Sequence, residues 1–540
     1  MAVLREAAAY PILYCTLFFF AALAGWAGGV KYKKIVDPGE EFLSARNSKK
    51  WYVLAMSFFV SGMGNWVIFA APEVGTFLGW WGVLGYALAS STPLWVLIWL
   101  GPKVRNAMGD RGFTVSDYVK ERYGRVVHLM VSVVSLFYMF IALTAEFTTI
   151  GQTLPLLADS LSPLSAILPV AIITTLYTAY AGLPASIVTD KYQGALVGVL
   201  VVIAVGRVLW KVDIPPEQWS KVATWTPEGF QALVALILAI IPAEILNQGT
   251  WQRVWAAESS RDVRLGLVCG GILIIPTMLL FGVSGMVAEA IDTDGEIEGM
   301  GFLAFFFLLS KLPLFWVVLV AILAVALVAS TVDTLQNGIV ALVASDLMAH
   351  KVSVNWARLL AIAVNVPAVI IGAIGLSVLN LFLIADLLAA SVVAPIFLGM
   401  WGKTTTAGAF CGCLAGILTI FVQGWIITGD FVGGLNFITL PCGLYCVDTM
   451  IAFILVPAIS AIVTVAASVV DMWAHPGRAN MVSLRTLPKT DTTHTDIEAD
   501  VTGTHIDKDN GTGKDKDDTT HSYDDARPGQ QQQQQQVVAV

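Results

Sequence analysis

The chain has 540 residues, 56% hydrophobic and 13% charged, with a mean hydropathy of +0.74 and a formal net charge of −8. A soluble domain carries about 25% charged residues, so the composition excludes a soluble globular protein. The charge is segregated between loops, and nothing in it calls for a nucleic-acid partner.

Apolar runs near the roughly 20 residues needed to cross hydrocarbon recur along most of the chain. Thirteen candidate spans follow in order: 9–29, 51–76, 79–100, 127–155, 162–182, 188–210, 231–250, 264–288, 312–347, 357–377, 379–400, 405–427 and 447–471. The run GFLAFFFLLS at 301–310 is too short to span and is predicted to be re-entrant or interfacial. The first span lacks the flanks and cleavage site of a signal peptide and is read as a retained helix.

Lys and Arg set the orientation. KYKK at 31–34, RNSKK at 46–50, the basic set at 103–125, Arg253, Arg261, Arg264, Lys351, Arg358, Lys403, Arg478, Arg485 and Lys489 fall on one side. Arg5, Lys211, Lys221, Lys311 and the acidic loop DTDGEIEG (292–299) fall on the other. The expectation is an outside N-terminus, a cytoplasmic C-terminus and residence in a lipid bilayer, the plasma membrane. Cys442 and Cys446 are read as free thiols in preference to a pair. From 473 to 540 the chain is rich in Asp, Thr, Gly and Gln and lacks periodic apolar residues, so a disordered cytoplasmic tail is predicted.

Two spans are interrupted. SGMGNW (61–66) followed by AAPEVG (70–75) breaks the second, and IPAEILNQG (241–249) breaks the seventh. Paired Gly/Pro-interrupted segments at corresponding positions point to a transporter site. Each opens a five-helix block. The predicted organisation is 1–50 as an extra helix and loop, 51–400 as an inverted-repeat core (51–210 and 231–400), 401–472 as two further helices, and 473–540 as the tail.

Polar groups inside apolar spans are the candidate site. In ALVASTVDTLQNG (326–338), Ser330, Asp333, Thr334 and Asn337 share a helix face. Helix–helix glue and a small hard cation are both open readings. Asp333 is either a structural carboxylate or a second cation or proton site. Asp190 either pairs with Lys191 at the surface or lies on an ion pathway, where its charge attracts a cation. Glu244, two residues after Pro242, is a functional candidate because ionisable groups are costly in hydrocarbon. It satisfies freed backbone N–H groups, binds an ammonium or amide, or carries a proton. Asn247 and Gln248 are expected to line the same cavity, and Trp66 to be either core or a wall for the solute. Glu146 and Asp386 are intramembrane carboxylates without an assigned role. No Walker loop, H-E-x-x-H or nucleophile elbow is present, so no enzyme is expected.

Five stretches in order carry a resemblance: EEFLSARN (40–47), GFTVSDYVKERYG (112–124), TAYAGLPASIVTDKYQG (178–194), NQGTWQRVWAAES (247–259) and STVDTLQ (330–336). Together they resemble the sodium:solute symporter family across about residues 40–470. The resemblance implies an all-α, polytopic, leucine-transporter-like fold with about thirteen transmembrane helices and a five-plus-five inverted repeat. It implies a sodium site made by the Ser330 and Thr331 hydroxyls and the carbonyls of Val60, Met63 and Leu327, with Asp190 near the inward exit of the ion. No cofactor is implied beyond the transported sodium ion. The function implied is sodium-driven import of a small polar nitrogenous solute by alternating access, with NQGTWQR leaning toward urea and Trp66 toward proline. Proton coupling in the same fold, a solute sensor, and less readily a channel or a membrane enzyme, stand as alternatives.

Overall fold

The computed structural model describes residues 4–28, 44–109, 112, 114–158, 161–346 and 354–475. Among them the only regular structure is helical, apart from an isolated bridge between Lys49 and Ala257. The helices used below are α1 (Glu6–Trp26), α2 (Trp51–Gly62), α3 (Val67–Met108), α4 (Val115–Tyr123), α5 (Arg125–Leu157) and α6 (Pro163–Leu200). They continue with α7 (Pro227–Leu246), α8 (Gln248–Ala256), α9 (Ser260–Ile291), α10 (Ala304–Ser310) and α11 (Leu314–Asp346). The last are α12 (Val354–Gly372), α13 (Val378–Leu398), α14 (Thr406–Thr428) and α15 (Val447–Ala474).

Ten helices among the described residues are long and apolar enough to cross a membrane, where thirteen spans were expected. The difference has local causes. Helix α3 joins two expected spans across a kink at Gly79, and α6 does the same at Gly182. Both glycines sit at positive φ (54° and 59°), a conformation that side-chain-bearing residues enter at a cost. The expected span at 51–76 is divided between α2, too short to count, and the start of α3, and the expected span at 357–377 gives only a short apolar helix, Leu359–Gly372, among the described residues. Large apolar side chains such as Leu176, Val202, Ile426 and Ile462 are exposed on the outer faces of the bundle. A hydrocarbon surround suits such apolar side chains, which would be costly against water.

The run at 301–310 forms a short 3₁₀ turn and α10, with Phe305, Phe306 and Phe307 buried, so it packs as a short piece rather than a span. Cys442 and Cys446 are joined by a disulfide, which corrects the free-thiol reading. The tail predicted to be disordered lies outside the described residues from 476 onward.

Helix α11 is the centre of the bundle. It packs against α6, α5, α1, α8, α12 and α2. A helix apolar nearly all round is buried or spans a membrane. Here polar residues along one stretch, from Ser330 to Asn337, are all buried. The two broken helices lie beside each other as half-helix pairs, with α2 next to α8 and α3 next to α7.

Candidate functional site

At the first break α2 ends at Gly62, and Met63 turns the chain out of helix (φ −107°, ψ 84°). A break frees backbone groups that must find partners. Glu146 of α5 supplies one, its Oε2 accepting from the Asn65 N–H at 2.9 Å. The Asn65 side chain donates in turn to Thr153 Oγ1 at 2.9 Å. Gly64 faces the Glu146 carboxylate so closely that a Cβ there would collide with it. Glu146, without a role in the sequence reading, therefore anchors the break.

At the second break Pro242 lacks the N–H that would bond one turn back, and the helix ends at Leu246, with Asn247 out of helix (φ −73°, ψ 102°). The freed carbonyls are taken up locally. Trp251 Nε1 donates to Ile245 O at 2.7 Å, and Ser135 Oγ and Gln248 Nε2 donate to Leu246 O at 2.5 and 3.0 Å. Asn247 Oδ1 accepts from the Gly249 N–H at 3.0 Å and so caps α8. With these groups satisfied, Glu244 is not needed to hold the break. Its Oε2 accepts from Thr250 Oγ1 at 3.0 Å and lies 3.3 Å from Asn247 Nδ2.

A cavity lies between the breaks. Met63, Trp66, Glu244 and Thr250 line it from the broken helices, with Tyr86, Tyr138, Phe382 and Asp386 from α3, α5 and α13. Trp66 packs its ring 5.7 Å from both Tyr86 and Phe382. Among the described residues no Lys, Arg or His lines the cavity. It is an aromatic chamber with two carboxylates and no basic group.

A second polar centre surrounds the middle of α11. Asp190 and Arg253 form an ion pair of 2.7 Å with both side chains fully buried. Ser57 Oγ donates to Asp190 Oδ2 at 2.5 Å and Ser330 Oγ to Asp190 Oδ1 at 2.7 Å. Arg253 also donates to Ser57 Oγ (2.6 Å), Gly249 O (2.8 Å) and Thr334 Oγ1 (2.7 Å). One guanidinium thus joins α2, α6, α8 and α11. Beside it Asp333 accepts from Ser186 Oγ at 2.8 Å, and the Tyr177 hydroxyl lies 3.0 Å from its other oxygen. Thr331 differs from its neighbours: its Oγ1 is buried and has no hydrogen-bond partner.

Several expectations are corrected by this geometry. Asp190 pairs with Arg253 and not with Lys191. Arg253, counted among the loop charges, is fully buried. Gln248 does not line the cavity. Its amide is consumed by Ser135 and Leu246 O, and its Oε1 accepts from the Val115 N–H at 3.0 Å. Asn247 stands behind Glu244 instead of in the cavity wall. Trp66, Glu244 and Met63 do line it, while Val60 and Leu327 are buried and do not. Sequence reasoning missed Asp386, Tyr86, Tyr138 and Phe382 as cavity walls and Ser57, Ser186 and Tyr177 as partners of the buried carboxylates. Only Asp386 carried a signal, as a carboxylate within an apolar run.

A family model described as the sodium:solute symporter family matches residues 42–416. The spermidine transporter DUR31 of Candida albicans is 26% identical over 442 residues, which covers 79% of this chain and 84% of that protein. Sodium/glucose cotransporter 1 of Oryctolagus cuniculus is 26% identical over 328 residues, and the match covers 54% of this chain and about half (48%) of that relative. In fold, the chain is similar to a Na+-coupled sialic acid symporter solved in a substrate-bound outward-open state. The TM-score is 0.64 and the identity 16%, covering 83% of this chain and 98% of the other.

Proposed function

Because the chain belongs to the sodium:solute symporter family, we propose that it couples an inward sodium gradient to the import of cationic organic amines, polyamines first among them. The observation that carries this reading is Glu244, held by Thr250 and Asn247 in the wall of a cavity that has no basic side chain among the described residues. A carboxylate removed from water needs a counter-charge or a full set of donors. An ammonium group supplies both, and aromatic walls such as Trp66 and Tyr138 attract the same charge through their ring faces.

The expected solutes fit less well. Urea brings no charge to meet Glu244. Proline brings a carboxylate into a chamber that already holds Glu244 and Asp386. The relative named as a spermidine transporter supports the amine reading.

The sodium site is proposed at Ser330 and Thr331 with the carbonyls of Val60, Met63 and Leu327. The unpartnered Thr331 Oγ1 supports it, since a buried hydroxyl without a partner is costly unless a ligand takes its lone pairs. Ser330 donates its proton to Asp190, and its oxygen keeps lone pairs for a cation. Asp190 orients that hydroxyl, and Arg253 balances its charge. Asp333 completes the acidic side of the ion pathway. With the N-terminus outside and the C-terminus cytoplasmic in the plasma membrane, sodium moving inward contributes about 2.3 kcal/mol per 100 mV. Reciprocal coupling makes each ligand raise the affinity for the other.

The test is uptake of labelled spermidine into proteoliposomes under an inward sodium gradient, with urea, proline and glucose as competitors. Sodium-dependent uptake blocked by amines alone is expected. Uptake that persists in potassium under a proton gradient would replace sodium coupling by proton coupling through Asp333.

A further inference from the structure

The reading of Glu244 leaves the second carboxylate of the chamber unexplained. Asp386 projects from α13 into the same cavity and is 5% exposed. Its Oδ1 is buried without any hydrogen-bond partner. The contrast with Glu244 is informative. Glu244 is held in place by Thr250 and Asn247, whereas Asp386 has a buried oxygen that the protein itself leaves unmet.

The surroundings say what kind of group would meet it. Tyr86 and Tyr138 line the cavity together with Asp386 and Glu244. Trp66 and Phe382, edge to face, supply apolar surface. Two anionic points joined by aromatic wall match a molecule with two cationic ends and a hydrocarbon middle.

We propose that Asp386 is a second ammonium anchor, so that the chamber selects solutes with two separated amines over solutes with one. The proposal rests on the amine reading of Glu244 and adds the residue that sets substrate length. A monoamine satisfies Glu244 and leaves Asp386 unpaired. A diamine of matching length satisfies both. A charge-assisted hydrogen bond that only the diamine makes is worth roughly 10- to 100-fold in affinity.

The experiment is thermal stabilisation of the purified full chain in sodium, titrated with butylamine and with linear α,ω-diamines of three to six carbons. Wild type is expected to bind its best diamine at least about tenfold more tightly than butylamine. Asp386→Asn is expected to remove that preference by weakening the diamine while leaving butylamine nearly unchanged. Asp386→Glu carries the anchor one methylene further into the cavity and is expected to shift the preferred diamine to a shorter one, a readout that a merely structural role would not produce. Equal binding of butylamine and diamines by wild type overturns the second anchor and leaves the amine reading standing. Equal weakening of both by Asp386→Asn, with no shift in length in Asp386→Glu, also overturns it. Binding of none of these amines by wild type overturns the amine reading and this proposal with it.

Discussion

Arg253→Gln removes the one cation from a fully buried cluster. Asp190 keeps Ser57 and Ser330 as donors but loses its counter-charge, and Thr334 and the Gly249 carbonyl each lose a partner. Breaking one side of a buried pair costs about 3–5 kcal/mol, because the remaining charge stays out of water. Asp190→Asn leaves the guanidinium as the orphan and should cost a similar amount. The double variant Arg253→Gln with Asp190→Asn removes both charges and keeps most of the hydrogen bonds. It should be less destabilised than the sum of the singles, with a coupling of roughly 1–3 kcal/mol. The assay is unfolding of the purified protein in detergent, followed by tryptophan fluorescence, for wild type, both singles and the double. Strict additivity, or a single variant as stable as wild type, would refute the view that this pair is buried and mutually dependent.

Four further outcomes are expected. Thr331→Ala should abolish the sodium-dependent rise in melting temperature while changing stability in potassium little, since the hydroxyl has no protein partner to lose. Glu244→Gln should weaken amine binding by more than tenfold in the same titration, as one partner of a charge-assisted contact is lost. Gly79→Ala should destabilise by more than about 1 kcal/mol, because φ is 54° and the new Cβ would meet the Thr224 carbonyl. Glu146→Ala should lower stability by about 1–3 kcal/mol through the Asn65 N–H left unpaired, read in the same unfolding assay.

The helices were legible because lipid forces long apolar runs, and the two breaks were legible because Gly, Pro and Asn punctuate them at SGMGNW and IPAEILNQG. The fate of single polar side chains was less accessible. Arg253 lies next to a loop, where a positive charge ordinarily marks the cytoplasmic side, and its partner Asp190 is 63 residues earlier in the chain. No periodicity links two such positions. Gln248 resembles a cavity residue until the carbonyls freed by the break are counted, after which its amide is fully engaged. Asp386 could be recognised as an anomaly in an apolar run, but its place in the chamber depends on α13 packing against α5 and α7. The pairing of Cys442 with Cys446 likewise depends on a turn, Leu440 to Gly443, that spacing alone does not specify.

The bridge between Lys49 and Ala257 has a mechanical meaning. Asn47 and Ser48 donate to the Trp255 and Ala256 carbonyls, and Glu258 returns a bond to Lys49. The start of α2 is thereby laced to the end of α8, and Arg253 ties the same two half-helices again through Ser57. Double lacing ties these ends of α2 and α8, so that one cannot shift there without the other. The non-helical joints at Met63 and Asn247 are where these half-helices can pivot; Met63 lines the chamber, and Asn247 stands behind the Glu244 that does. Under the function proposed above, a solute in the chamber sits beside the Met63 joint.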